Sequence, residues 1–265
     1  MPTKSVCFAV FSLVAIFAPV QSYADLLVID RNLSKVLRYD NSGVYVGVFA
    51  ENVLFPEAIA ADKKGNVFVA DWGGTVHWFT QTGIYRGAIA AGFGPLADVH
   101  VDIYGVLYAA EQLGGRIYSI TLSGNVSLFA ETGNVWQTQL ASDSLGRLFV
   151  ADAVRNRIMA YDTTTGAELG VYVSGIQSFG ITCDYLDRLH VSDNLKCRIL
   201  TFDSMGNYLN TMTGIAQQCR QLSTNQTGEV YAPCGTTIKL FSATGVLGGN
   251  IVSNLWRAGE TAWIK

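Results

Sequence analysis

Asp98 and His100 stand two apart in Leu96-Ala-Asp-Val-His-Val101, the spacing that puts two side chains on one face of an extended chain. A carboxylate beside an imidazole is the minimum for general acid/base work on a substrate laid over them, so His100 is the candidate catalytic residue. A second set recurs along the chain: Asp30, Asp71, Glu111, Asp152 and Asp193 each close a short apolar run, and Cys234 closes a sixth. Gathered around an axis, the five carboxylates would suit a cation. Taken singly, each would accept backbone N–H groups in its own turn, which Asp does readily, and that structural role is the expected one. The three histidines, His77, His100 and His190, are scattered, and no Cys-x-x-Cys pair occurs. A zinc site is therefore poorly supported.

A repeat positions these residues. GNVFVAD at Gly65, GVLYAAE at Gly105, GRLFVAD at Gly146, DRLHVSD at Asp187 and GEVYAPC at Gly228 follow one another at intervals of 40, 41, 41 and 41 residues. A fixed period of this length marks a repeat architecture. Within each unit lie four short runs of period-2 alternation, for example Gln139 to Asp143, Arg147 to Asp152, Arg157 to Asp162 and Glu168 to Val173. Turns this short join only antiparallel neighbours. One small twisted sheet buries too little apolar surface to stand alone, so the copies must pack face to face around an axis. The ends count them: DLLVID at Asp25 matches a second strand with no first strand before it. ETAWIK at Glu260 matches a first strand, with Trp263 in the register of Ile59, Val99, Leu140, Ile181 and Leu222. The expected fold is an all-β, six-bladed β-propeller of four-stranded antiparallel blades, closed by pairing the N- and C-terminal strands. The blades span about residues 25–50 plus 260–265, 56–90, 96–130, 137–173, 178–213 and 219–251.

The first residues read as an export signal: Lys4, an apolar run from Val6 to Val20, then Ser22-Tyr23-Ala24 before Asp25. Residues 1–24 are expected to be removed, leaving residues 25–265 as one secreted or periplasmic domain with no membrane anchor. Lys4 is the only charge lost with them, so the expected product has 17 Lys and Arg against 21 Asp and Glu. Nothing in that acidic balance points to a nucleic-acid partner, which would ask for a basic patch. A monomer is expected.

In this fold the first strands line a central channel, and the loops after the second strands share one face with their starts. That mouth is where a pocket is expected. Glu57, Asp98, Gln139, Arg220, Gln221 and Glu260 begin the first strands, and Trp72, Trp136 and Phe179 lie in or beside the flanking loops. These nine form the candidate binding set. Glu57 and Asp98 are the candidate ligands should calcium or another divalent ion be a cofactor. The cysteines left after export, Cys183, Cys197, Cys219 and Cys234, sit in the second half. Cys219 and Cys234 are equidistant from a turn centred between Gln226 and Thr227. They face each other across the hairpin with Cα atoms about 4.5 to 5.5 Å apart, within disulfide range. Cys183 and Cys197 fall at opposite ends of their blade and are not expected to pair.

The units resemble the NHL repeat in PEAIAAD at Pro56, GRLFVAD at Gly146 and RNRIMAYD at Arg155. TVHWF in the unit that starts at Pro56 lacks the Asn-Arg-Ile, and GEVYAPC lacks the acidic end. The resemblance implies a six-bladed propeller that binds a protein or small-molecule ligand through the loop face. The alternative is a divalent-metal-dependent hydrolase similar to the senescence-marker/gluconolactonase family. That family carries a Glu-Gly-Pro metal motif, where this chain has Pro56-Glu57 in reverse order. The resemblance to six-bladed amidating lyases is poorer, because among the three histidines only His100 lies on a first strand. The residues therefore favour a binding module over an enzyme.

Overall fold

Asn66–Asp71 is apolar at almost every position, and it is buried on both faces. A strand of that kind has no solvent side, so both faces of its sheet need cover. The computed structural model describes residues 25–133, 139–253, 255 and 258–264. Among them are six four-stranded antiparallel sheets, each a meander of consecutive strands except one, and no helix. The exception joins Ala258–Ile264 to Asp25–Asp30, followed by Lys35–Tyr39 and Tyr45–Glu51. Blades are numbered from this shared one. The expected export signal, residues 1–24, lies outside the described residues, and no helix among the latter is long and apolar enough to cross a membrane.

Alternation along one strand feeds two different cores. In blade 1, Leu27 and Ile29 pack against Ile59, Val67, Val69 and Phe79 of blade 2. Leu26 and Val28 point the other way, onto Tyr231, Ile238 and Val252 of blade 6. The remaining four apolar clusters likewise fill the gaps between blades 2 and 3, 3 and 4, 4 and 5, and 5 and 6. Each buried Val, Leu, Ile or Phe contributes roughly 1.5–3 kcal/mol, and every blade depends on both neighbours for it.

The hairpin between first and second strands explains the spacing of the repeat. Asp62, Asp102, Asp143, Asp184 and Asn225 each use one side-chain oxygen to accept the N–H groups two and four residues on. The third residue after each has positive φ: Gly65, Gly105, Gly146 and Gly228, with Asp187 at 56°. Glycine opens the repeat because that position is left-handed, and Asp is among the few residues that tolerate it.

Cys219 and Cys234 form a disulfide with Cα atoms 4.3 Å apart, and Cys183 and Cys197 are free. The bond closes a 15-residue separation and fastens the start of the innermost strand of blade 6, whose regular pairing is limited to Ser223–Thr224.

Replacing both Cys219 and Cys234 by Ser is expected to lower stability by about 3 kcal/mol, the loop-closure value for this length, read by urea unfolding. Deleting residues 260–265 removes most of the strand that joins the termini. The melting temperature is expected to fall sharply, and an unchanged value would refute closure at this blade.

Candidate functional site

The inner strands slip register by one residue near one mouth of the channel. The slip falls between Pro56 and Ala58 in blade 2 and between Leu96 and Asp98 in blade 3. In blade 6 it falls between the Cys219–Cys234 bridge and the Ser223–Tyr231 pair. A bulge re-aims a side chain where the ladder is interrupted. Glu57, Ala97, Phe179 and Arg220, at the slipped position, line the mouth, as do Gln139 and Gln221 at the next. Arg31 and Gln112, from the loops after second strands, complete the lining; the sequence pattern had not singled them out.

The cavity between them holds about 40 Å³, room for a few water molecules. Its polar groups serve one another. Arg31 and Glu57 form an ion pair at 2.8 Å, and the Arg31 guanidinium and the Gln221 amide both donate to the Glu57 backbone oxygen. Asp98 is buried, accepting from the N–H of Val99 at 2.9 Å and of Leu140, in the next blade, at 2.6 Å. Gln139 repeats the device one blade on, its Oε1 accepting from Ile181 N–H at 2.6 Å. The innermost strand has no partner on its channel edge, so these N–H groups would otherwise be orphaned. Asp98 and Gln139 thus tie blade to blade.

The carboxylates that close the second strands are also consumed locally. Asp30 accepts from Asn32 and Leu33 N–H, and Asp71 accepts from Thr75 N–H and meets His77. Glu111 takes Gly94 N–H and Arg116. Asp152 pairs with Arg155 and Arg157, and Asp193 with Arg198. A basic residue at the start of the third strand offsets each buried charge in blades 3, 4 and 5. In blade 6, where Cys234 stands at this position, the disulfide takes its place.

His100 belongs to the opposite mouth. Its Nε2 meets Ser142 Oγ at 2.8 Å, and burial pulls its pKa down to about 4, so the ring is neutral at pH 7. It lines a cavity of about 440 Å³, so the pockets are not confined to the Glu57 side, where a cleft of the same volume at Gln217, Arg220 and Gly235 adjoins the mouth. The strand length separates the two ends: Asp98 faces the bulged end and His100 the hairpin end. Nearby, Asp184 accepts from His190 and Arg188. Burial raises its carboxyl, but those hydrogen bonds outweigh it and hold the pKa at about 2.

Trp72 is 44 % exposed on the rim, and its backbone N–H donates to Phe55 O. Trp136 lies outside the described residues, and of Glu260 only the strand position is described. A divalent ion does not fit Glu57 and Asp98, because the first is held by Arg31 and the second by backbone N–H groups. Among the described residues no three His, Cys, Asp or Glu side chains converge.

The six blades around a lined channel define the class: a six-bladed β-propeller. No protein-family model and no curated protein matches the sequence. Among solved structures, a chain of the crystal structure titled "Nidogen/Laminin Complex" is similar over 91 % of this chain and 98 % of its own. The TM-score is 0.79 and the identity 14 %. A protein of unknown function from Bacteroides caccae is similar over 92 % and 100 %, with a TM-score of 0.74 and 14 % identity. In all, 1453 solved chains match, so the shared fold by itself does not select a function.

Acid sensitivity follows from two groups. His100 has a lower pKa folded than its ordinary 6.5, so its contribution is present above that value and lost as pH falls toward 4. Asp184 adds a second loss from 3.8 toward 2. His100→Gln is expected to remove the first loss, on the order of 2 kcal/mol, in urea unfolding compared at pH 7 and pH 4.5. An unaltered pH dependence would refute it.

Proposed function

We propose that this chain is an exported NHL-type propeller that binds a protein partner across the face holding Arg31, Glu57 and Arg220. One observation carries the reading. Five of the six loops after second strands expose an apolar residue: Leu33, Trp72, Leu113, Val154 and Leu195, between 44 % and 70 % accessible. Leu54 and Phe55, at 69 % and 63 %, extend this ring beside blade 2. Large apolar side chains exposed together on one face are the kind of surface that marks an interaction site. The centre, at about 40 Å³, leaves a partner to lie over the mouth rather than within it, and the adjoining cleft of about 440 Å³ at Gln217, Arg220 and Gly235 adds relief for it to fill.

The nidogen/laminin neighbour supports this reading as a propeller of the same shape crystallised in a protein complex. The disulfide supports an oxidising, extracytoplasmic compartment, and the NHL motifs support the repeat type.

The double variant Leu113→Asp/Leu195→Asp places two charges on the ring. It is expected to weaken partner capture from the exported fraction at least about tenfold, while Leu128→Asp, on the outer strand of blade 3, leaves it unchanged. Equal capture by all three proteins would sink the reading. For the metal-dependent hydrolase alternative, elemental analysis is expected to find no stoichiometric calcium or zinc. A bound ion that also raises the melting temperature would reverse the order of the two readings.

A further inference from the structure

The mouth opposite the proposed interface has the volume that the first one lacks. Its cavity of about 440 Å³ continues into about 210 Å³ of channel, and Ala61, His100, Val101, Cys183, Thr224 and Trp263 border both. Organic ligands occupy pockets of roughly 300–1,000 Å³.

Two of those residues break the repeat. At the position of Trp263, which pairs with Leu26, the other blades carry Ala61, Val101, Ser142, Cys183 and Thr224. An indole is far larger than any of these; it packs edge-on against Tyr231, with ring centres 4.6 Å apart, and reaches the cavity wall. At the position of His100 blades 2, 4, 5 and 6 carry Ala60, Ala141, Thr182 and Ser223. A scaffold built by repetition has no packing reason for a lone Trp and a lone His. Both exceptions border the same space.

The chemistry of the wall selects the occupant. The apolar part is Trp263, Val101, Ile103 and Tyr185. The deeper polar groups are uncharged: the His100 imidazole, bonded to Ser142, and the hydroxyls of Thr182 and Ser223. At the rim, Asp143 and Asp184 are ion-paired with Arg147 and Arg188, while Asp62 and Asp187 bind turn N–H groups or Ser144. Lys63 is the one cation among the lining residues. The entrance therefore holds more carboxylates than cations, an arrangement that disfavours an anionic ligand.

We infer that this second mouth is a binding site for an uncharged small molecule with an aromatic or alicyclic body and a hydroxyl, amine or carbonyl group, seated between Trp263 and His100. The site is independent of the protein-binding face, since the two open at opposite ends of the channel.

Cys183 supplies a built-in reporter because it is free and borders the cavity. Burial, with Asp143, Asp184 and Asp187 close by, pushes its thiol up, so its reaction is slow and is followed at alkaline pH. The test titrates the mature protein with N-phenyl-1-naphthylamine, an uncharged fluorescent probe, and with its anionic relative 1-anilinonaphthalene-8-sulfonate. The expected result is saturable, one-to-one enhancement with the first and at least tenfold weaker binding of the second. In a Cys197→Ser background, saturating probe should slow N-ethylmaleimide labelling of Cys183 at least fivefold. Ser142→Trp, which fills the cavity, should weaken binding at least tenfold, whereas Leu113→Asp/Leu195→Asp should not change it. Absence of saturable binding would overturn the inference. So would an unprotected Cys183, equal affinity for the anionic probe, or loss of binding in the double Asp variant, which would assign the probe to the other face. The labelling measurement decides the matter even if Ser142→Trp fails to fold.

Discussion

Every blade of this protein is apolar on both faces, and that single constraint organises the rest. A sheet with two sticky faces has no stable solution as a free layer or as one half of a sandwich; it needs a neighbour on each side. Six copies arranged in a ring satisfy all the faces at once, including the seam where Leu26 and Val28 meet Tyr231 and Ile238. The same ring leaves each innermost strand with an unpaired edge on the channel. Asp98 and Gln139 answer that second problem with side-chain oxygens that accept N–H groups from the next blade.

Much of what looks like chemistry in the sequence is therefore consumed by architecture. Asp152 and Asp193 are buried because arginines at the start of the next strand reach them, and an unpaired buried carboxylate would cost several kcal/mol. Asp184 stays ionised because His190 and Arg188 outweigh its burial. Repetition magnifies the appearance of a site: a turn that uses one carboxylate, copied in five of six blades around an axis, looks like a cation ring. The residues on which the proposed recognition rests are those the repeat does not dictate, such as Arg31, Leu195, His100 and Trp263.

The two ends of the channel differ for a geometric reason. At one end the register slip crowds two side chains per blade toward the axis, and long residues such as Glu57, Phe179 and Arg220 close it to about 40 Å³. At the other, the strands reach their hairpins with small residues, Ala61, Ser142 and Thr224, and the channel opens to about 440 Å³.

Period, turn chemistry and alternation were legible in the sequence because each is local. The Gly at a left-handed turn position, the strand of period two and the Cys219–Cys234 pairing all depend on neighbours a few residues away along a hairpin. The closing of the ring was legible too, since ETAWIK reads as a first strand and does pair with Asp25–Asp30, but the register was two residues out. Thr261, not Trp263, stands where the other blades have Ile59 or its equivalents, and Trp263 stands at the position of Ala61. The bulge at the inner strands was not legible. It shifts the pairing by one residue without altering the alternation that flanks it, and it alone decides that Glu57 and Arg220 turn to the axis. Nor could the sequence tell that Asp98 would be spent on Leu140 N–H, or that His100 would open onto the other mouth. Those facts depend on how far one blade's strand lies from the next across a channel, and that distance is set only when all six blades are packed.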